Sequence, residues 1–123
     1  MTRIWVGLAV AGAVGAPCRY LLDRAVSDRL SGIFPWGTFV INVTGSFALG
    51  VIVGLSLYHA LPTTPKVILG TGFCGAYTTF STWSYETVRL LEDGDAVDAL
   101  RNTLAGLVAC GTAAGLGLAL AAL

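Results

Sequence analysis

Charge is scarce in this sequence: only 11% of its 123 residues are charged, whereas 55% are hydrophobic. Ordinary soluble domains carry about 25% charged residues, so this chain has too little charge to cover a water-facing surface. Seven basic residues balance seven acidic ones. Because nucleic-acid binding requires a basic face, the composition excludes a nucleic-acid partner as well as a soluble domain.

Residues that usually build catalytic or metal centres are also few. The sequence has a single histidine, His59, and three cysteines, Cys18, Cys74 and Cys110. The cysteines lie in apolar segments without metal-site spacing, so we expect them to pack as small apolar groups. Neither a phosphate-binding glycine loop nor a Ser-His-Asp arrangement is present. We therefore expect that the protein is not an enzyme.

Long uncharged segments are what the sequence has instead. A membrane-spanning helix takes about 20 residues, which leaves room for four. The charges, prolines and turns predict spans at about residues 4–22, 36–58, 66–90 and 99–122. We predict an all-α, multi-pass membrane protein in which residues 1–123 form one four-helix transmembrane domain embedded in the lipid bilayer.

The basic residues give only a weak topological signal. With four spans, two of them lie on one side of the membrane (Arg3 and Lys66) and four on the other (Arg24, Arg29, Arg89 and Arg101). The positive-inside rule weakly favours a cytoplasmic location for the second group. One fixed orientation and a mixture of both are compatible with this bias. Four thin helices enclose little interior, so we expect a dimer.

The third predicted span has an unusual composition for a membrane helix. Three glycines precede a run of hydroxyl residues: Gly70, Gly72 and Gly75, then Thr78, Thr79, Ser81, Thr82 and Ser84. Glycine loosens a helix and hydroxyls compete for its carbonyls, so we predict a break near residues 75–79. Such a break exposes a helix N-terminus to an anion and unwound carbonyls to a cation.

Polar residues in apolar spans are functional candidates. Thr38, Asn42 and Ser46 are spaced four apart and predict one polar stripe in span two. Asn42 could join helices, but it could also donate to an anion, and the stripe favours that function. Arg19 could extend to the interface or draw anions to a vestibule, and both readings stay open.

Two aromatic residues accompany the hydroxyls of span three. Phe80 and Trp83 lie three apart. The edge of an aromatic ring is positive, so rings turned edge-on could contact a small anion while neighbouring hydroxyls donate to it. This combination favours an anion pathway over simple packing.

Three stretches of the chain resemble the Fluc (CrcB) family of fluoride channels. They are GAPCRY at 15–20, GTFVINVTG at 37–45 and GFCGAYTTFST at 72–82, in matching order and spacing. The resemblance implies a fluoride-selective channel of the bacterial inner membrane that exports fluoride passively and protects the cell from its toxicity. It also implies an antiparallel, dual-topology dimer with two pores.

The resemblance further implies roles for individual residues. A structural sodium ion at the dimer centre would be held by the backbone carbonyls of Gly75 and Thr78. The pore residues would be Phe80 and Trp83 as the aromatic pair, Asn42, Ser81 and Thr82 as a polar track with Thr38 nearby, Arg19 in the vestibule and Glu86 as the acid of span three. Asn102 is loosely matched to a pore residue of span four.

Two departures from the family pattern bear on function. Ala76 stands where a second glycine is usual, and Trp83 replaces a phenylalanine. The indole could narrow the pore or offer a further hydrogen bond. Either identical chains or a pair with a paralogous subunit could form the dimer.

Two other functions remain open from the residues. A small proton-coupled exporter of drugs or ions would need a titrating carboxylate in its cavity, and Glu86 is the candidate within the spans. An assembly subunit would need no hydroxyl-rich third span, so that reading is less favoured.

Overall fold

The computed structural model describes residues 1–123 and is entirely helical. Its elements are α1 (Thr2–Ser27), α2 (Trp36–Tyr58), α3 (Thr63–Lys66), a π-helical segment π1 (Val67–Cys74), α4 (Gly75–Tyr77), α5 (Phe80–Glu92) and α6 (Ala96–Leu120). The predicted all-α class is confirmed.

Three of the helices are long and apolar enough to cross a membrane: α1, α2 and α6. The 23 residues of α2 extend for about 35 Å at 1.5 Å per residue, which is sufficient for a hydrocarbon layer of about 30 Å. Many large apolar side chains on these helices point outward, as in Trp5, Leu107 and Leu116. The chain is therefore a multi-pass membrane protein.

Helices α2 and α6 approach each other closely because glycines line their contact. A Cβ on Gly50 would overlap the backbone carbonyl of Ala114, and a Cβ on Gly117 would overlap that of Phe47. Gly111 and Gly115 behave differently, since a Cβ on either one would meet no atom within 4 Å. Thus Gly50 serves packing inside the subunit, whereas Gly111 and Gly115 face away from it.

The segment between residues 63 and 92 changes neighbours along its length. Its first part packs on α1, where a Cβ on Gly15 would lie 2.6 Å from the carbonyl oxygen of Phe73 and one on Gly72 would lie 2.9 Å from the Cβ of Ala11. Its last part, α5, packs on α6. Thr78 and Thr79 connect the two parts.

Candidate functional site

Helical structure stops for two residues between α4 and α5. Thr78 (φ −78°, ψ 162°) and Thr79 (φ −148°, ψ 121°) are both extended. The hydroxyl of Thr78 donates to the carbonyl of Cys74 at 2.8 Å, where it shares the acceptor with the Thr78 N–H. The hydroxyl of Thr79 accepts from the N–H of Thr82 at 3.1 Å and caps α5. Local threonine chemistry therefore ends one helix and begins the next.

Asn42 of α2 supplies hydrogen bonds that the extended backbone lacks. Its Nδ2 donates to the carbonyl of Thr79 at 2.9 Å, and its Oδ1 accepts from the Thr79 N–H at 2.8 Å. Thr79 is buried, so these two bonds satisfy backbone groups that water does not reach. A carboxamide carries two N–H groups, and one of those on Asn42 remains available.

The hydroxyls that follow the interruption form a small cluster. Thr79 Oγ1 donates to Thr82 Oγ1 at 2.9 Å and lies 3.3 Å from Ser81 Oγ. Ser81 and Thr82 are both exposed on the subunit. Because Thr82 Oγ1 is the acceptor of this bond, its own hydrogen is free to be donated outward.

The interruption also frees backbone acceptors. In a continuous α-helix the N–H of Thr79 would bond to the carbonyl of Gly75, but here it is donated to Asn42. The carbonyl of Thr78 accepts no hydrogen bond. Hard cations prefer oxygen ligands such as backbone carbonyls. The free carbonyl oxygens of Gly75 and Thr78 are therefore ligands of the kind that a sodium ion binds.

An open cavity of about 340 Å³ adjoins the interruption. It brings together five of the sequence-predicted site residues: Asn42, Gly75, Thr78, Phe80 and Trp83. The rings of Phe80 and Trp83 are 5.3 Å apart between centroids and tilted by 44°. Phe80 is 77% exposed on the subunit. The predicted aromatic pair therefore borders the same space as the extended backbone.

Thr38 and Glu86 form a separate polar pair outside this cavity. The hydroxyl of the buried Thr38 donates to Glu86 Oε1 at 2.9 Å. The second carboxylate oxygen, Oε2, is buried and has no partner. Helices α2 and α5 are joined at this point by one hydrogen bond.

Arg19 stands apart from both groups. The two salt bridges of the subunit are Arg89–Asp93 and Arg101–Asp98, and Arg19 takes part in neither. The predicted site residues thus fall into three places: the cavity with its adjoining hydroxyls, the Thr38–Glu86 pair, and Arg19.

Two contacts of the site were missed by the residue-level predictions, that of Asn42 with Thr79 and that of Trp83 with Asn102. Thr79 is the partner of Asn42, and the signal for it was the N-cap spacing of Thr79 and Thr82 before α5. Asn102 is fully buried and bonds through Nδ2 to Thr87 Oγ1 at 2.9 Å, while its backbone carbonyl accepts from the indole N–H of Trp83 at 3.1 Å. No spacing rule links residues 83 and 102.

Fold and site together define a small multi-pass membrane protein with a polar, interrupted helix bordering a cavity on its outer surface. The family model described as "CrcB-like protein, Camphor Resistance (CrcB)" matches residues 6–118. The chain belongs to the CrcB family, which confirms the resemblance seen in its motifs.

Curated relatives support the same assignment. The chain is 48% identical over 105 residues to fluoride-specific ion channel FluC 2 of Mycobacterium tuberculosis strain H37Rv, covering 85% of this chain and 80% of that protein. It is 47% identical to FluC 1 of Frankia casuarinae over 122 residues, with 95% of each chain covered. It is 50% identical to FluC 1 of Streptomyces avermitilis over 115 residues, covering 93% and 89%.

Proposed function

We propose that this protein is a fluoride-selective channel that lets fluoride leave the cell passively and so protects it from fluoride. Family membership and relatives named fluoride-specific ion channels support the ion. The structural observation that carries the proposal is the Thr78–Thr79 interruption, because it presents a helix N-terminus beside hydroxyls and aromatic rings. The protein moves an ion and performs no covalent chemistry.

Fluoride is small and strongly hydrated, so its water must be replaced by close donors. The free N–H of Asn42 and the hydroxyls of Ser81 and Thr82 are such donors. The N-terminus of α5 adds a positive dipole end, and the edges of Phe80 and Trp83 add weak contacts. A row of weak sites lets the ion enter and then move on.

The working unit in this proposal is an antiparallel dimer with two pores. Phe80 is 77% exposed and Leu107 is 69% exposed at the cavity, which suits burial against a second copy. The zero net charge and weak basic asymmetry permit insertion in both orientations. We favour identical chains, with pairing to a paralogous subunit as the other arrangement.

The broken third span is part of the same proposal. In it, Thr78 and Thr79 lie at membrane depth, where irregular backbone is tolerated only against protein or water. The carbonyls of Gly75 and Thr78 would hold a structural sodium ion at the dimer centre. The ion would supply a fixed positive charge that compensates carbonyls left without N–H partners.

Arg19 and Glu86 have supporting roles in the proposed channel. Arg19 is half-buried and has no acidic partner, so it is free to draw anions toward a vestibule. Glu86 is engaged by Thr38 and does not line the cavity. This position favours the channel over a proton-coupled exporter, which would need its carboxylate in the substrate cavity.

Liposome flux measurements test the proposal. We expect liposomes that contain the purified protein to release fluoride when a potassium gradient sets the membrane potential. We expect them to release chloride at no measurable rate. Gly32→Ala is a suitable control variant, because Gly32 lies in the connection between α1 and α2 and its added methyl meets open space. Comparable chloride flux would overturn fluoride selectivity. A flux that follows a pH gradient and is lost in Glu86→Gln would overturn the channel and support the proton-coupled exporter.

A further inference from the structure

The indole of Trp83 rests on a glycine of the neighbouring helix. A Cβ built on Gly106 of α6 would lie 2.9 Å from the indole Nε1, 3.6 Å from Cδ1 and 3.7 Å from Cε2. Contacts below 3 Å require a shift, and here the obstacle is a rigid ring at the helix contact. The absence of a side chain at Gly106 therefore makes room for the indole.

The same indole is also held by a hydrogen bond. Its N–H donates to the backbone carbonyl of Asn102 at 3.1 Å. Asn102 is itself fixed, since it is fully buried and its Nδ2 donates to Thr87 Oγ1, whose hydrogen goes to the Trp83 carbonyl at 2.8 Å. The indole N–H is therefore bonded to a backbone carbonyl of a residue that is itself held in place.

These contacts decide what the indole can offer to the cavity. An indole has one donor and no acceptor, and the single N–H of Trp83 is used inside the subunit. The remaining ring surface lies beside Phe80, with 5.3 Å between centroids. Trp83 can therefore contribute a ring to the cavity wall but no hydrogen bond to an ion within it.

We propose that Gly106 and the Asn102 carbonyl are positioning groups, which fix the indole of Trp83 so that its ring and that of Phe80 form a rigid wall of the ion path. The functional part of this inference rests on the proposed channel activity. The matched pair of a large residue at 83 and glycine at 106 explains how this chain accommodates an indole.

A double-mutant cycle tests the pair. The four proteins are the native chain, Gly106→Ala, Trp83→Phe and the double variant. We expect Gly106→Ala to lower the fluoride efflux rate of the native chain by about tenfold, a change that corresponds to about 1.4 kcal/mol. In the Trp83→Phe background, where the ring is smaller and untethered, we expect a change of roughly twofold or less.

A second readout does not depend on transport. Protein labelled with ¹⁵N-tryptophan gives one indole N–H signal for each of its three tryptophans, Trp5, Trp36 and Trp83. Gly106→Ala should move the Trp83 signal and leave the other two in place. Gly32→Ala, the same substitution in the connection between α1 and α2, should leave the Trp83 signal in place.

The two readouts separate the possible failures. An equal loss of efflux from Gly106→Ala in both backgrounds, or an unmoved Trp83 signal, would overturn the pairing. Absence of fluoride efflux from the native chain would instead overturn the proposed channel, and the indole signals would still decide whether Gly106 seats Trp83.

Discussion

Replacing Asn42 by alanine should separate bracing of the backbone from donation to an ion. The substitution removes two hydrogen bonds, at 2.9 and 2.8 Å, and leaves both backbone groups of Thr79 without partners. A buried group left unsatisfied costs about 1–3 kcal/mol. If neither group finds a new partner, we expect the free energy of unfolding to fall by about 2–6 kcal/mol.

If the backbone relaxes so that the Thr79 groups find new partners, the loss in the free energy of unfolding is smaller. Side-chain hydrogen bonds in membrane proteins contribute about 0.6 kcal/mol on average, so two bonds that are readily replaced amount to about 1 kcal/mol. Because Thr79 is buried and both of its backbone groups bond to Asn42, we expect the larger loss in the free energy of unfolding. An unfolding titration in detergent micelles distinguishes about 1 from about 3 kcal/mol.

The control for this experiment is Ser46→Ala. Ser46 lies one turn further along α2 and lines the same cavity, but no hydrogen bond of its side chain is formed. We expect stability within about 0.5 kcal/mol of the native value for this variant, as for substitutions away from specific interactions. If Asn42→Ala also retained full stability while losing fluoride efflux, Asn42 would serve the ion alone and the bracing argument would be refuted.

Two further substitutions test the helix contacts. Gly117→Val should destabilise the fold by about 3 kcal/mol or more, as overpacking against the Phe47 backbone allows no relief; native-like thermal unfolding would contradict the α2–α6 contact. Asn102→Ala should cost about 2 kcal/mol, because it opens a cavity and removes the hydrogen bond that Asn102 Nδ2 donates to Thr87 Oγ1. An Asn102→Ala protein with native stability would show that this buried network is dispensable.

The helices were largely predictable because charge and proline mark their ends. The second span was predicted at 36–58, and α2 covers Trp36–Tyr58. Glycines and hydroxyls predicted an interruption near residues 75–79, and the extended residues are Thr78 and Thr79. That this interruption lies at membrane depth stays a prediction.

Other features depend on proximity that a single sequence does not express. The π-helical turns of Val67–Cys74 arise where the chain packs on α1, and composition alone predicted only looseness there. Asn42 was assigned to the site as an anion donor, yet its amide meets Thr79, 37 residues away. The contact of Trp83 with Gly106 likewise joins α5 and α6, and no local sequence pattern predicts how these two helices are aligned.

The glycines of α6 have an energetic consequence beyond the subunit. Each glycine inside a helix costs about 1 kcal/mol relative to alanine. Gly106 and Gly117 offset this cost through close contacts with Trp83 and α2. Gly111 and Gly115 offset nothing within the subunit, because a methyl group on either would fit freely. Helix α6 is therefore about 2 kcal/mol less stable than it would be with alanine at positions 111 and 115. Any compensating contact must come from a neighbour outside the chain.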